Sequence, residues 1–140
     1  MSLALAGFGV CLALATAPDT PRYFPVQTFT LAWTHSIEKT RWEENYTVIA
    51  PTGLDQPPVL QAGIAKVRGS AAGMEPPPDA ILRDGWYEYQ PTMQLPAQLR
   101  LTRSGYTPDY EWCIQGICRP MTDIMPTDGG VTLLYACRQP

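Results

Sequence analysis

From Thr28 the side chains alternate strictly, with Phe29, Leu31, Trp33, His35 and Ile37 on one face and Thr28, Thr30, Ala32, Thr34 and Ser36 on the other. Period two with β-branched and aromatic residues predicts a strand. After the polar Glu38-Lys39-Thr40, alternation resumes as Trp42, Glu44, Tyr46 and Val48 against Arg41, Glu43, Asn45 and Thr47. The two runs predict a long β-hairpin. Pairing Ile37 with Trp42 sets His35 opposite Glu44, Trp33 opposite Tyr46 and Leu31 opposite Val48. All these pairs share one face, and a one-residue slip would destroy the apolar stripe.

Shorter strands are predicted at Val59 to Val67, Trp86 to Tyr89, Gln98 to Arg103, Tyr110 to Cys113, Ile117 to Met121 and Val131 to Cys137. Asp84-Gly85, Gln115-Gly116 and Asp128-Gly129-Gly130 supply turns between them. Once the N-terminal run is set aside, no stretch carries a sustained helical period. The expected fold is all-β, a small antiparallel sandwich or barrel of about seven strands.

The N-terminus follows another pattern. Leu3 to Ala15 is uncharged and rich in Leu and Ala, too short to span a bilayer but suited to the apolar core of a secretory signal. Ala13-Leu14-Ala15 and Ala15-Thr16-Ala17 offer cleavage patterns, although no Lys or Arg precedes the run. An uncleaved anchor or a buried first helix are the alternatives. The expected division is a signal or anchor over 1–17, a proline-rich linker over 18–25 and one β-domain over 26–140.

Composition narrows the function. The 140 residues are 45% apolar and 16% charged, with a net charge of −3, which excludes a nucleic-acid binder relying on a positive field. The 15 prolines and 11 glycines fit many turns. One histidine is present, so any imidazole chemistry must pass through His35.

With the signal removed, Cys113, Cys118 and Cys137 remain. A two-residue turn at Gln115-Gly116 makes Cys113 and Cys118 a non-hydrogen-bonded pair, whose Cα atoms approach to about 4.5 Å, within disulfide range. A disulfide there fits an exported protein, with Cys137 free or paired between chains. A zinc site from the three cysteines and His35 fits poorly, because its cysteine spacing exceeds that of structural zinc sites. No metal or cofactor is expected.

Two segments could carry chemistry. His35, Ser36, Glu38, Glu43 and Glu44 crowd one hairpin, and a carboxylate against the imidazole would orient it and raise its pKa. A core histidine satisfied by Glu44 is the plainer reading. The second is Gly69-Ser70-Ala71-Ala72-Gly73, framed by Arg68 and Glu75, whose small residues leave backbone N–H groups open to an anion. It lacks the lysine of a P-loop and is no nucleophile elbow. A rigid chain reversal before Pro76-Pro77-Pro78 is its plainer reading. The sequon Asn45-Tyr46-Thr47 carries no weight.

Trp33-Thr34-His35-Ser36-Ile37-Glu38-Lys39-Thr40 followed by Trp42-Glu43-Glu44-Asn45-Tyr46 resembles the "HSVEK…E.Y" hairpin of a bacterial domain family of unknown function. Arg68-Gly69-Ser70, Ala72-Gly73-Met74-Glu75-Pro76-Pro77 and the Trp112 to Cys118 segment resemble further parts of it. Ala71 stands where a glycine is usual. The resemblance covers nearly all of 26–120 and weakens after Met121. It implies a small secreted or membrane-anchored protein, often encoded beside TAXI-type TRAP transporters, which import solutes such as organic acids. It implies no catalytic residue.

The expectation is therefore a periplasmic or secreted domain, membrane-anchored only if the N-terminus is retained. It would act as a non-enzymatic accessory or ligand-binding protein of a TRAP-type uptake system. The expected site combines His35, Ser36, Glu38, Glu44, Arg68, Ser70 and Glu75, with the Gly69-to-Gly73 loop beside the His35 hairpin. A transporter component or a small anionic solute is the expected partner. The alternatives are a small acid–base hydrolase using His35 with Glu44 and Ser70 as nucleophile, or a purely structural interaction module.

Overall fold

The computed structural model describes residues 7–34, 40–53, 55–68, 78–92 and 94–140. Its strands are β1 (Phe8–Leu14), β2 (Arg22–Phe24), β3 (Thr28–Thr34), β4 (Arg41–Ile49), β5 (Val59–Arg68) and β6 (Ile81–Arg83). They continue as β7 (Trp86–Tyr89), β8 (Leu99–Thr102), β9 (Glu111–Ile114), β10 (Ile117–Pro120) and β11 (Val131–Arg138). Among the described residues the one helix is a 3-10 turn, Met121–Asp123. No helix there is long and apolar enough to cross a membrane.

The strands form two antiparallel sheets, ordered β2-β1-β11-β8 and β10-β9-β3-β4-β5-β7-β6. The all-β, sandwich-like class is as expected, with eleven described strands rather than about seven. The core lies between the sheets. Val10, Leu12, Leu101 and Leu134 of the smaller sheet meet Phe29, Leu31, Tyr46, Val48 and Trp112 of the larger, and Met121, Ile124 and Met125 close one side. Phe29 stacks between Tyr46 (5.4 Å) and Trp112 (4.7 Å), binding β4, β3 and β9 into one aromatic row. Each such buried side chain contributes about 1.5–3 kcal/mol.

The β3–β4 hairpin forms in a different register from the expected one. Trp33 pairs with Trp42, Leu31 with Glu44 and Phe29 with Tyr46. His35 is therefore not the cross-strand partner of Glu44. The observed pairing differs from the expected one by an even number of residues, so every side chain keeps its face and the apolar stripe survives. Packing decides between the two. Trp33 and Trp42 stack at 6.0 Å with planes 8° apart, and Arg41 donates to Glu43 and Glu111 on the outer face.

The apolar N-terminal run, expected to be a signal or anchor, is over Phe8–Leu14 the inner strand β1 of the smaller sheet. The expected linker over 18–25 contains β2, paired through Arg22, Tyr23 and Phe24. Phe8, Val10, Leu12 and Leu14 pack into the core, while Gly9, Cys11 and Ala13 take the other face. A Cβ on Gly9 would lie 2.3 Å from the Phe24 carbonyl oxygen, so β2 reaches β1 only over a glycine. Gly9→Ala is expected to cost about 1–3 kcal/mol, as overpacked sites do. An unchanged denaturant midpoint would show that β2 is not held at this point.

Cys113 and Cys118 form the expected disulfide, with Cα atoms 4.0 Å apart. Gln115 and Gly116 both take positive φ (52° and 81°), as a two-residue turn matched to strand twist requires. Cys137 is neither free nor available to another chain, because it is bonded to Cys11. Cys11 lies within the apolar run expected to be a signal, and as part of β1 it is instead the partner that Cys137 finds in its own chain. Two disulfides suit an oxidising, extracellular-type environment.

Arg103, just after β8, is 2% exposed. Its guanidinium forks onto Asp109 through two bonds of 2.9 Å and donates to Thr132 Oγ1 and the Met125 carbonyl. One buried cation thus joins the loop before β9, strand β11 and the segment after the 3-10 turn.

Candidate functional site

Even-numbered residues of β4 face the opposing sheet, and Trp42, Tyr46 and Val48 are buried accordingly. Glu44 occupies the same row, so a carboxylate points between the sheets. Next to it the ladder with β5 is interrupted: Glu44 pairs with Ala65 and Tyr46 with Ala62, leaving Asn45 opposite two residues. Bulges of this kind leave backbone groups unpaired and re-aim neighbouring side chains. Asn45 compensates, donating from Nδ2 to the Ile64 carbonyl at 2.8 Å and accepting from Thr30 Oγ1. The sequon asparagine is thus a structural part of the bulge.

Glu44 lines a cavity of about 500 Å³ together with Tyr46, Asp79, Tyr89, Gln90, Leu95 and Leu99. A smaller hollow of about 160 Å³, with Leu31, Trp33, Arg100 and Tyr110 in its wall, shares Glu44, Tyr46, Pro96 and Leu99. The larger volume falls within the ~300–1,000 Å³ typical of small-ligand sites. Tyr46 donates from its hydroxyl to Glu44 Oε1 at 2.6 Å.

Burial pushes the Glu44 carboxyl above the usual carboxylate range, with the Tyr46 hydrogen bond partly opposing it. Burial, followed by the charge of Glu44, raises Tyr46, Tyr89 and Tyr110 as well. The three phenols therefore stay protonated at neutral pH and act as donors or apolar walls.

A stability prediction follows from Glu44. Its folded-state pKa lies above the unfolded one, so the folded chain holds the extra proton between the two values. Stability is fully favoured below the ordinary value near 4.5 and declines as pH rises through the raised one. Glu44→Gln should flatten that decline. Denaturant unfolding across the acid range decides it, and identical slopes in both proteins would refute it.

Of the residues expected in the site, Glu44 is in the cleft. Arg68 is not: its guanidinium lies 5.3 Å over the Trp86 ring, whose face Lys66 also approaches. His35, Ser36, Glu38, Ser70 and Glu75 lie outside the described residues, as does the proposed closeness of the Gly69-to-Gly73 loop to His35. Tyr89, Tyr110, Leu95 and Leu99 were not anticipated. The available signals were the alternation in Trp86-Tyr87-Glu88-Tyr89 and the prolines Pro91 and Pro96 bracketing the lining loop.

No curated protein and no solved structure matches the chain significantly. A family match covers residues 29–121, a span holding Glu44, Tyr46, Tyr89 and Tyr110, while β1, β2 and β11 flank it. The chain belongs to that family, described as Domain of unknown function (DUF1850).

Proposed function

We propose that the chain is a non-enzymatic ligand-binding domain, working outside the reducing cytoplasm as an accessory of a TRAP-type solute-uptake system. The carrying observation is the cleft at Glu44, where one half-buried carboxylate and the protonated phenols of Tyr46 and Tyr89 meet a cavity of small-molecule size, with Tyr110 in the adjoining hollow. Polar groups few in number and set in an apolar wall are the usual make-up of a binding pocket. The two disulfides support the compartment, and the resemblance of the Trp33-to-Tyr46 segment supports the transporter association.

Binding is favoured over turnover by the hairpin register. The acid–base alternative needs His35 against Glu44, and Leu31 holds that position. Glu44 is left with a phenol as its partner, which orients the carboxylate without activating a nucleophile.

Native mass spectrometry of the protein purified from a periplasmic extract tests the reading. A retained small molecule, lost when Leu99→Trp fills the cleft, is the expected result. A protein free of bound mass in both forms, and unshifted in melting temperature by extract metabolites, would overturn it.

A further inference from the structure

We infer that the cleft takes an organic cation, an alkylammonium-bearing solute whose nitrogen meets Glu44 and whose carbon skeleton lies against Tyr89, Leu95 and Leu99. This deepens the binding reading above and rests on it. The described wall of the larger cavity contains two acidic side chains, Glu44 and Asp79, and no basic one. Among the described residues, Tyr46 is the only side chain that donates to Glu44, at Oε1. The second oxygen is not among the buried polar atoms left without a partner, so the carboxylate that lines the cavity is not sealed in protein.

A carboxylate withdrawn from bulk water with one neutral donor is poorly compensated. An ammonium group placed there supplies both charge and N–H donors. The tyrosine faces add to the attraction, because an aromatic ring presents negative charge to a cation within about 6 Å of its centre. An anionic solute would instead meet two carboxylates. The sequence-based expectation of an anion rested on Arg68 and the adjoining glycine loop, but Arg68 is engaged over Trp86. Arg100 shares a wall with Glu44 only in the smaller hollow, where it is exposed.

Calorimetric and NMR titration of the full chain with benzylammonium, and with benzyl alcohol and benzoate as neutral and anionic counterparts, tests the inference. Benzylammonium should bind saturably and at least about tenfold more tightly than either counterpart, the scale of one charge-assisted hydrogen bond. Glu44→Gln should remove most of that preference. Gln94→Arg, at an exposed wall position away from the core, should weaken benzylammonium several-fold and favour benzoate.

Equal or tighter binding of benzoate or benzyl alcohol overturns the cation assignment. So does a benzylammonium affinity indifferent to both substitutions. If those counterparts bind and Leu99→Trp blocks them, the binding reading stands without the cation. If no probe binds and the purified protein carries no bound mass, both fall.

Discussion

Replacing Cys11 and Cys137 together by serine is expected to cost the fold about 5 kcal/mol on the chain-entropy account of disulfides. The bond joins residues 126 positions apart, so it closes nearly the whole chain into a ring and restricts the unfolded ensemble accordingly. The same account gives about 2 kcal/mol for the bond between Cys113 and Cys118, which are only 5 positions apart. The paired measurement is therefore the informative one. Denaturant unfolding of the two double-serine variants should show a much larger loss for the Cys11–Cys137 bond. Equal losses would mean that unfolded-state restriction is not the source of its stabilisation. A cost below that of the short loop would mean that β1 is held by its neighbours alone.

Asp109→Ala is expected to destabilise by about 3–5 kcal/mol, the usual result of stripping one partner from a buried ion pair. Arg103 has no exposed side-chain surface, whereas Asp109 keeps 18%. Removing the carboxylate therefore leaves a cation that water cannot reach, held only by Thr132 and the Met125 carbonyl. Arg103→Lys should also be costly, because an ammonium cannot reproduce the two-pronged contact with Asp109. Replacing both residues, as in Arg103→Met with Asp109→Leu, should cost less than the sum of the single changes. An additive double-mutant cycle from chemical denaturation would refute the coupling.

The hairpin, the later strands other than the three-residue β6, their turns and the Cys113–Cys118 bond were legible because period-two alternation and positive-φ turn residues are local signals. The register of β3 on β4 was not. Parity alone cannot separate pairings that differ by an even slip, and the choice rested on tryptophan stacking and the Arg41 ion pairs.

The N-terminal strand was hidden for a different reason. Its alternation is of size rather than polarity, with Phe8, Val10, Leu12 and Leu14 set against Gly9, Cys11 and Ala13. An uncharged run of that kind reads equally as an export signal. Glu44 was found through its hairpin, but its surroundings were not, because Tyr89, Leu95 and Leu99 reach it only across strand pairings and a loop. Arg103 gave no warning, since an arginine six residues before an aspartate is ordinary in a loop.

The junction of β1 and β11 also sets how the domain carries a pull. Gln139 donates to the Gly7 carbonyl at 2.7 Å, and four residues further in from Gly7 the Cys11–Cys137 bond crosses the same pair of strands. Tension applied at the two ends would pass from one to the other through that covalent link. The seven-stranded sheet, and the cleft above it, would hang outside the load path. Reduction of the single bond leaves the load to the β1–β11 hydrogen bonds, which would open one pair at a time from the Phe8–Arg138 end, so mechanical resistance should depend on its redox state even where ligand affinity does not.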